Sequence, residues 1–219
     1  MRSLIDTWIF DLDNTLYSAS TGVFGQIDAR MKSFIARELG LTLAEAYTLQ
    51  KKYFHAHGTT LRGLMLNHAT DPDTFLDFVH DIDHDILDAD HRLAKAIESL
   101  PGRKFVFTNA TAYHAERVMD RLEISHLMEA IFDIRSAEYL PKPNAEPYQK
   151  MIREHAIHAN SAAMFEDSSA NLKPAADLGM TTIWVKHPTP VHIDTGNHDH
   201  CQHLTENLTM WLETTARTL

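Results

Sequence analysis

The run Thr7-Trp8-Ile9-Phe10, followed at once by Asp11-Leu12-Asp13, constrains this chain more than any other stretch. A β-prone, mostly apolar run that ends abruptly in acids reads as a buried strand delivering carboxylates to its C-terminal edge. Open α/β sheets bind their ligands at that edge. Side chains alternate along a strand, so Asp11 and Asp13 face the same way and share one site. An aspartate can attack phosphorus as a covalent nucleophile while a second serves as its acid–base partner. Two carboxylates with no compensating charge are costly, so a cation is expected between them. Taken alone, the stretch also describes a solvated strand end followed by an Asx-type turn at Asn14. Three further stretches bear on the choice.

From residue 103 onward, strand patterns alternate with helical ones, which predicts an α/β chain with a parallel sheet. Strands are expected at 104–109, 131–134, 162–165 and 181–186. The 104–109 strand ends in Thr108 and Asn109 and leads into an amphipathic helix at 113–122. Those residues and the amides after them form either a phosphate seat or a plain helix cap. Lys142 stands among Pro141, Pro143 and Pro147, a stiff loop that would hold its ammonium in a narrow range of positions. The 162–165 strand ends in Glu166 and Asp167, followed by Ser168, Ser169 and Asn171. After it come a helix stopped by Gly179, the last strand, and a closing amphipathic helix at 204–212.

Between the first strand and residue 101 the periodicity is helical. Phe24, Ile27, Met31, Phe34 and Ile35 mark a first helix that Gly40 stops. Thr42 and Glu45 make a capping box for a second, which ends at Gly58. Asp71-Pro72 opens a third, and Leu93, Ile97 and Leu100 suit a last short one before Pro101-Gly102. We therefore expect a helical cap over 17–100 inserted into a core formed by 1–16 and 101–219. Asp81-Ile82-Asp83-His84-Asp85 imitates a calcium loop, but Ile86 and Arg92 occupy the positions where that loop needs glycine and glutamate. An acidic, solvated connection is the better reading.

Composition excludes several classes of function. Thirty acids against twenty Lys and Arg give a formal charge of −10, which argues against nucleic acid as a partner. An anionic ligand would then need a metal and one or two lysines to reverse the sign of the field locally. No stretch approaches the ~18 apolar residues of a membrane span, and the first strand begins too near Met1 for a signal peptide. A cytoplasmic protein acting on small molecules is expected. The single Cys201 lies in a polar, His-rich tail away from any plausible base and is given no role. His187, His192, His198, His200 and His203 read as an exposed connection.

Together the strand ends bearing Asp11 and Asp13, Thr108-Asn109 and Glu166-Asp167, with Lys142 on a loop between, would face one edge of the sheet. This set resembles the haloacid dehalogenase-like hydrolases, with D-x-D-N-T, T-N, K-P and E-D-S-x-x-N as its four motifs. The resemblance spans nearly the whole chain and implies a Rossmann-like core with an inserted α-helical cap. It implies a Mg²⁺-dependent phosphomonoesterase in which Asp11 is the nucleophile and Asp13 the acid and base. Thr108, Asn109 and Lys142 would hold the phosphoryl group. Mg²⁺ would lie between Asp11, the Asp13 carbonyl and Asp167, with Glu166 acting only through water. The run D-L-D-N-T-L-Y, with Gly58-Thr59-Thr60-Leu61-Arg62-Gly63-Leu64, further resembles the pyrimidine 5′-nucleotidase branch, where a tyrosine stands in place of His57. That branch implies a nucleoside monophosphate, UMP or CMP, contacted from the cap by Thr59, Thr60 and Arg62. Structurally, Gly58-Thr59-Thr60 equally describes a C-cap followed by an N-cap. The alternatives within the fold are phosphatases or mutases of sugar phosphates. An aspartate at a strand end with a lysine also describes phospho-acceptor domains, but these would not need a cap of ~80 residues.

Overall fold

A computed structural model describes residues 4–187 and 198–214. Its organising element is β1 (Thr7–Phe10), buried at every residue. A strand buried on both faces must be apolar along its whole length rather than alternating, as this one nearly is. It pairs in parallel with β2 (Arg103–Phe107) on one side and β4 (Ala162–Glu166) on the other, Phe10 lying opposite both Val106 and Phe165. With β3 (Ala130–Phe132), β5 (Thr181–Val185) and β6 (His203–Thr205) the sheet runs β3-β2-β1-β4-β5-β6, all parallel.

Alternation along β1 divides the core. Trp8 and Phe10 join Val106, Phe165 and Ile183 on one face, packed against α5 (His91–Glu98), α6 (Ala112–Arg121) and α9 (Leu208–Thr214). Ile9 joins Phe105, Phe107 and Met164 on the other, under Tyr148 and Met151 of α7 (Ala145–Glu154) and Leu172 of α8 (Ser169–Asp177). Phe10 stacks on Phe165 at 4.8 Å between ring centroids, and Phe107 meets Tyr148 edge-on at the same separation.

The helices after β1 build a separate cluster. α1 (Val23–Leu39), α2 (Leu43–His57), α3 (Thr60–His68) and α4 (Pro72–Val79) bury Ile27, Phe34, Tyr53, Leu64, Phe75 and Val79 against one another. Local chemistry sets their ends. Thr42 and Glu45 form the capping box of α2, Asp71 caps α4 ahead of Pro72, and Gly40 and Gly58 turn the chain at φ 65° and 81°. Leu87, Leu93, Ala96 and Ile97, inside the stretch expected as cap, pack in the sheet's first cluster instead.

The end of the chain differs from its expected course. Leu204 and Thr205 lie in edge strand β6, opposite Trp184 and Val185, and the closing helix starts only at Leu208. The Thr205 hydroxyl accepts from Asn207 N at 3.1 Å, and Asn207 Oδ1 accepts from Met210 N at 2.8 Å, so the helix begins after this polar turn. Leu204, Leu208 and Leu212 share a helical spacing by coincidence. No helix among the described residues is long and apolar enough to cross a membrane.

Gly63 has a packing role within its cap motif. A Cβ there would stand 2.4 Å from Cβ and Cγ of Tyr53, where α2 and α3 cross. Those atoms lie at the root of the tyrosine and cannot swing aside. Gly63→Ala should therefore cost about 1–3 kcal/mol, read as a lowered midpoint in thermal or urea unfolding. An unchanged midpoint would show that the two helices have room to part.

Candidate active site

All the polar strand ends meet at the C-terminal edge of the sheet. The backbone continues straight from β1, Asp11 N donating to the Phe165 carbonyl at 2.9 Å, so the Asp11 side chain is delivered in line with the centre of the sheet. Lys142 Nζ, almost wholly buried, donates to Asp11 Oδ1 at 2.7 Å, Glu166 Oε2 at 2.7 Å and the Phe107 carbonyl at 2.8 Å. All three ammonium hydrogens are thus used, and the position expected of a stiff proline loop is enforced by hydrogen bonds as well. Asn109 completes the clamp, its Oδ1 accepting from Lys142 N at 2.8 Å and its Nδ2 donating to the Lys142 carbonyl at 3.3 Å. Thr15 donates to Asp11 Oδ2 at 3.0 Å.

Thr108 is buried, and its hydroxyl accepts from Ala110 N at 2.9 Å in the turn that leads to α6. Glu166 accepts on Oε1 from Ser168 N at 3.3 Å and Asn171 Nδ2 at 3.1 Å, which leaves it structurally engaged on both oxygens. Asp167 is less committed. Its main-chain carbonyl accepts from the Trp184 indole at 2.8 Å, while its side chain forms with Asp11 and Glu166 a set whose oxygens lie within 4.8 Å of one another.

Charge is unbalanced here. Three carboxyl groups face one lysine, and burial together with the neighbouring Glu166 pushes Asp11 up to about 7 and Asp167 well above the ordinary carboxylate range. Burial works against the Lys142 charge, yet Asp11 and Glu166 beside it hold its affinity for the proton above the ordinary lysine value. Hard oxygen donors carrying excess negative charge fit a small divalent cation such as Mg²⁺. The sign of its effect on stability follows. A carboxyl with an ordinary value of 3.8 and a folded value near 7 binds its proton more tightly in the folded chain, so stability is lost as pH rises through that window. A bound cation would replace the proton. Added Mg²⁺ should therefore raise Tm more at pH 8 than at pH 5.5, with chelator reversing the gain. Equal shifts at both pH values would contradict the charge argument.

Asp13 has a separate environment, and its partners are not apparent from sequence spacing. His114 Nε2 lies 2.9 Å from Asp13 Oδ1, and the Tyr17 hydroxyl donates to the same oxygen. Burial alone would raise the Asp13 carboxyl, but the His114 imidazole and these two hydrogen bonds hold it below its ordinary value. Behind His114, His84 Nε2 sits 3.0 Å from His114 Nδ1, and the His80 ring stacks on His114 at 4.8 Å. Burial, with the facing His114, pushes His80 down to about 3. The 81–85 stretch is therefore only partly the solvated acidic connection its sequence suggests. Asp81, Asp83 and Asp85 are exposed, whereas His84 turns inward and is buried. Placement of His114 in the first turn of α6, three residues after the Thr111 cap, is the one local hint.

A cavity of about 1000 Å³ separates this edge from the helical cluster. Asp11, Asp13, Thr108, Asn109, Lys142 and Asp167 line its floor, and Thr59, Thr60 and Arg62 line its roof. The two threonine hydroxyls have structural partners, Thr59 capping α3 by accepting from Arg62 N at 3.2 Å and Thr60 tying α3 to α2 by donating to the Gln50 carbonyl at 3.2 Å. Arg62 has no carboxylate partner for its guanidinium among the described residues. Gly58, at φ 81°, brings the roof onto the floor, for a Cβ there would stand 3.3 Å from the Lys142 carbonyl.

The His-rich stretch is more ordered than an exposed connection would be, where it is described. His187 Nε2 contacts the Asn14 carbonyl, the His198 ring lies tilted against Trp184 at 4.7 Å between centroids, and His200 Nε2 lies 2.7 Å from the Ser169 carbonyl. His203 lies within β6, while His192 falls outside the described residues.

Comparison with known proteins agrees with this geometry. Residues 5–179 match the family of haloacid dehalogenase-like hydrolases. Phosphate metabolism protein 8 of Saccharomyces cerevisiae is 27% identical over 190 residues, covering 79% of this chain and 59% of that protein. The chain thus spans less than two thirds of the curated relative's length. Among solved structures, a HAD phosphatase from Thermococcus onnurineus aligns with a TM-score of 0.64 at 13% identity, over 95% of this chain and 96% of that one. A structure of YfnB from Bacillus subtilis bound to magnesium gives 0.63 at 14% identity, over 96% and 98%. The 2-haloacid dehalogenase of Pseudomonas syringae pv. Tomato DC3000 gives 0.59 at 17% identity, over 98% and 99%. A phosphatase and a dehalogenase thus share this fold, so the fold alone does not choose between their chemistries.

Proposed function

The chain belongs to the haloacid dehalogenase-like hydrolases, and from that premise we propose that it is a Mg²⁺-dependent phosphomonoesterase with α1–α4 as the cap over its site. The observation that carries this reading is the second acid. Asp13 lines the cavity with one oxygen held by two donors and its side chain 15% exposed, an arrangement suited to passing a proton to and from a reacting group. A displaced halide needs no proton, whereas a departing alkoxide does.

Asp11 would attack phosphorus, held in place by Lys142 and Thr15. As the ester P–O bond breaks, the leaving oxygen takes a proton from Asp13, which must first draw it from solvent because His114 and Tyr17 hold its carboxyl below the ordinary value. Asp13 then takes a proton from water, whose oxygen opens the aspartyl phosphate, releasing phosphate and restoring Asp11. Thr108 and Asn109, which line the cavity together with Ala110, would hold the phosphoryl oxygens. Asp11, the Asp13 carbonyl and Asp167 would hold Mg²⁺, which when bound offsets the repulsion between a carboxylate and a phosphate dianion.

For the substrate we propose a pyrimidine nucleoside monophosphate. The motif Gly58–Leu64 supports it, since its glycine abuts the Lys142 loop and its Arg62 lines the cavity with no carboxylate partner among the described residues. The deciding experiment is phosphate release from UMP, CMP, AMP, GMP and sugar phosphates in the presence of Mg²⁺. UMP and CMP should lead, and Arg62→Ala should lower their kcat/KM by about 10-fold or more while sparing an aryl phosphate. AMP turned over as well as UMP, or a sugar phosphate outrunning both, would overturn the nucleotide reading and leave the phosphatase reading standing.

A further inference from the structure

Asp13 Oδ1 receives both His114 Nε2, at 2.9 Å, and the Tyr17 hydroxyl, while Oδ2 takes no hydrogen bond among the described residues. A carboxylate oxygen facing a ring nitrogen requires hydrogen on that nitrogen, so the imidazole donates. His114 has no freedom to turn away. It is wholly buried, His84 Nε2 stands 3.0 Å from its other nitrogen, and the His80 ring lies flat on it with 11° between the planes. His80 is tied in turn, its Nδ1 lying 3.1 Å from the Thr111 hydroxyl that caps α6 and accepts from His114 N. Two histidines from the 80–84 stretch thus brace a third, His114, some 30 residues on, which alone meets the carboxylate oxygen. A buried polar cluster that served only packing would not need to end on a group that faces the cavity.

We propose that His114 is a positioning residue for Asp13: braced by His84 and His80, and acting with Tyr17, it fixes Oδ1 so that Oδ2 is presented to the ester oxygen. This rests on the phosphomonoesterase reading and deepens it. In the step concerned, the hydrogen on Asp13 Oδ2 goes to the ester oxygen as that oxygen's bond to phosphorus breaks and the Asp11 oxygen–phosphorus bond forms. His114 exchanges no atom with the substrate. It holds the carboxyl rotamer through which the proton passes, a task for which a small misplacement is costly.

Leaving groups separate this role from a structural one. Aryl alcohols depart without a proton and alkyl alcohols do not, so only the alkyl ester depends on where Oδ2 points. With His114→Phe, kcat/KM for an alkyl phosphate should fall by about 10-fold to 100-fold, the loss of one hydrogen bond to a charged group, while kcat/KM for 4-nitrophenyl phosphate changes less than about 3-fold. A burst of nitrophenol followed by slow turnover should accompany it, because Asp13 must also position water in the second step. His114→Gln keeps an N–H donor near the same place and should restore most of the alkyl activity. Tyr17→Phe, which removes the other donor to the same oxygen, should show the same split, and it decides the matter if His114→Phe fails to fold. Equal losses on aryl and alkyl esters in the folded variants, or no rescue by glutamine, would overturn the proposal. A wild-type enzyme that hydrolyses neither ester would overturn the phosphomonoesterase reading itself, and this one with it.

Discussion

Asp11→Asn should be inert toward every phosphomonoester, aryl or alkyl, with kcat reduced on the order of 10⁴-fold or more, because it removes the carboxylate proposed as the nucleophile. The fold should survive. Asn retains an acceptor for Lys142 and relieves a site in which three carboxyl groups crowd one ammonium. The variant should therefore melt no lower than the wild type at pH 8, where burial and the facing Glu166 make the Asp11 charge costly. Asp13→Asn should fail in another way. The first step on an aryl ester should persist while alkyl esters are lost, and the aspartyl phosphate should accumulate for want of a base. Steady-state assays on both ester classes, with a stopped-flow burst measurement on the aryl ester, check the pair. Residual steady turnover by Asp11→Asn at more than a few per cent of wild type would mean that another group attacks phosphorus.

Lys142→Met should be the most damaging single change to stability. Its ammonium is the partner of Asp11 and Glu166 at once, both at 2.7 Å, and all three groups are buried. Removing one member of such a set leaves uncompensated charge in the interior, a loss of about 3–5 kcal/mol. For a chain of this size that corresponds to a Tm lower by roughly 6–20 °C. The pH dependence identifies the cause. A carboxyl already pushed up to about 7 rises further without the lysine, so below that value it takes a proton and the penalty shrinks. The Tm deficit should be large at pH 8 and visibly smaller at pH 5. A deficit that does not change with pH would assign the damage to packing around Phe107, whose ring lies 5.0 Å from the ammonium, rather than to charge.

The parts of this molecule legible in its sequence are those specified locally. β1 is buried through four mostly apolar residues and the chain then turns acidic, α2 carries its capping box within one turn, and Gly40 and Gly58 sit where the backbone turns left-handed. Asp11, Lys142 and Asp167 could be assembled from sequence because each lies at a strand end or on a stiff loop, and parallel strands bring such ends to one edge. β6 was obscured because three residues, His203-Leu204-Thr205, are too few to show an alternation, and Leu204 falls in step with the helix that follows. The surroundings of Asp13 were beyond reach for a different reason. His114 contacts it across 101 residues and His84 contacts His114 across 30, through a chain path that no local spacing records. Thr59 and Thr60 show the opposite limit, since the Thr59 hydroxyl caps α3 and that of Thr60 ties α3 to the middle of α2, while both residues line the cavity.

Asp11 should become phosphorylated during turnover, and acid quenching followed by mass spectrometry of the digested protein detects the adduct. Asp13→Asn, mixed with an aryl phosphate and Mg²⁺ and quenched during the slow phase, should carry one phosphoryl group on the peptide that contains Asp11. The same peptide from the Asp11→Asn protein should carry none. Steady phosphate release with no phosphoryl group on that peptide at any quench time, or a phosphoryl group found on a different residue, would contradict the account.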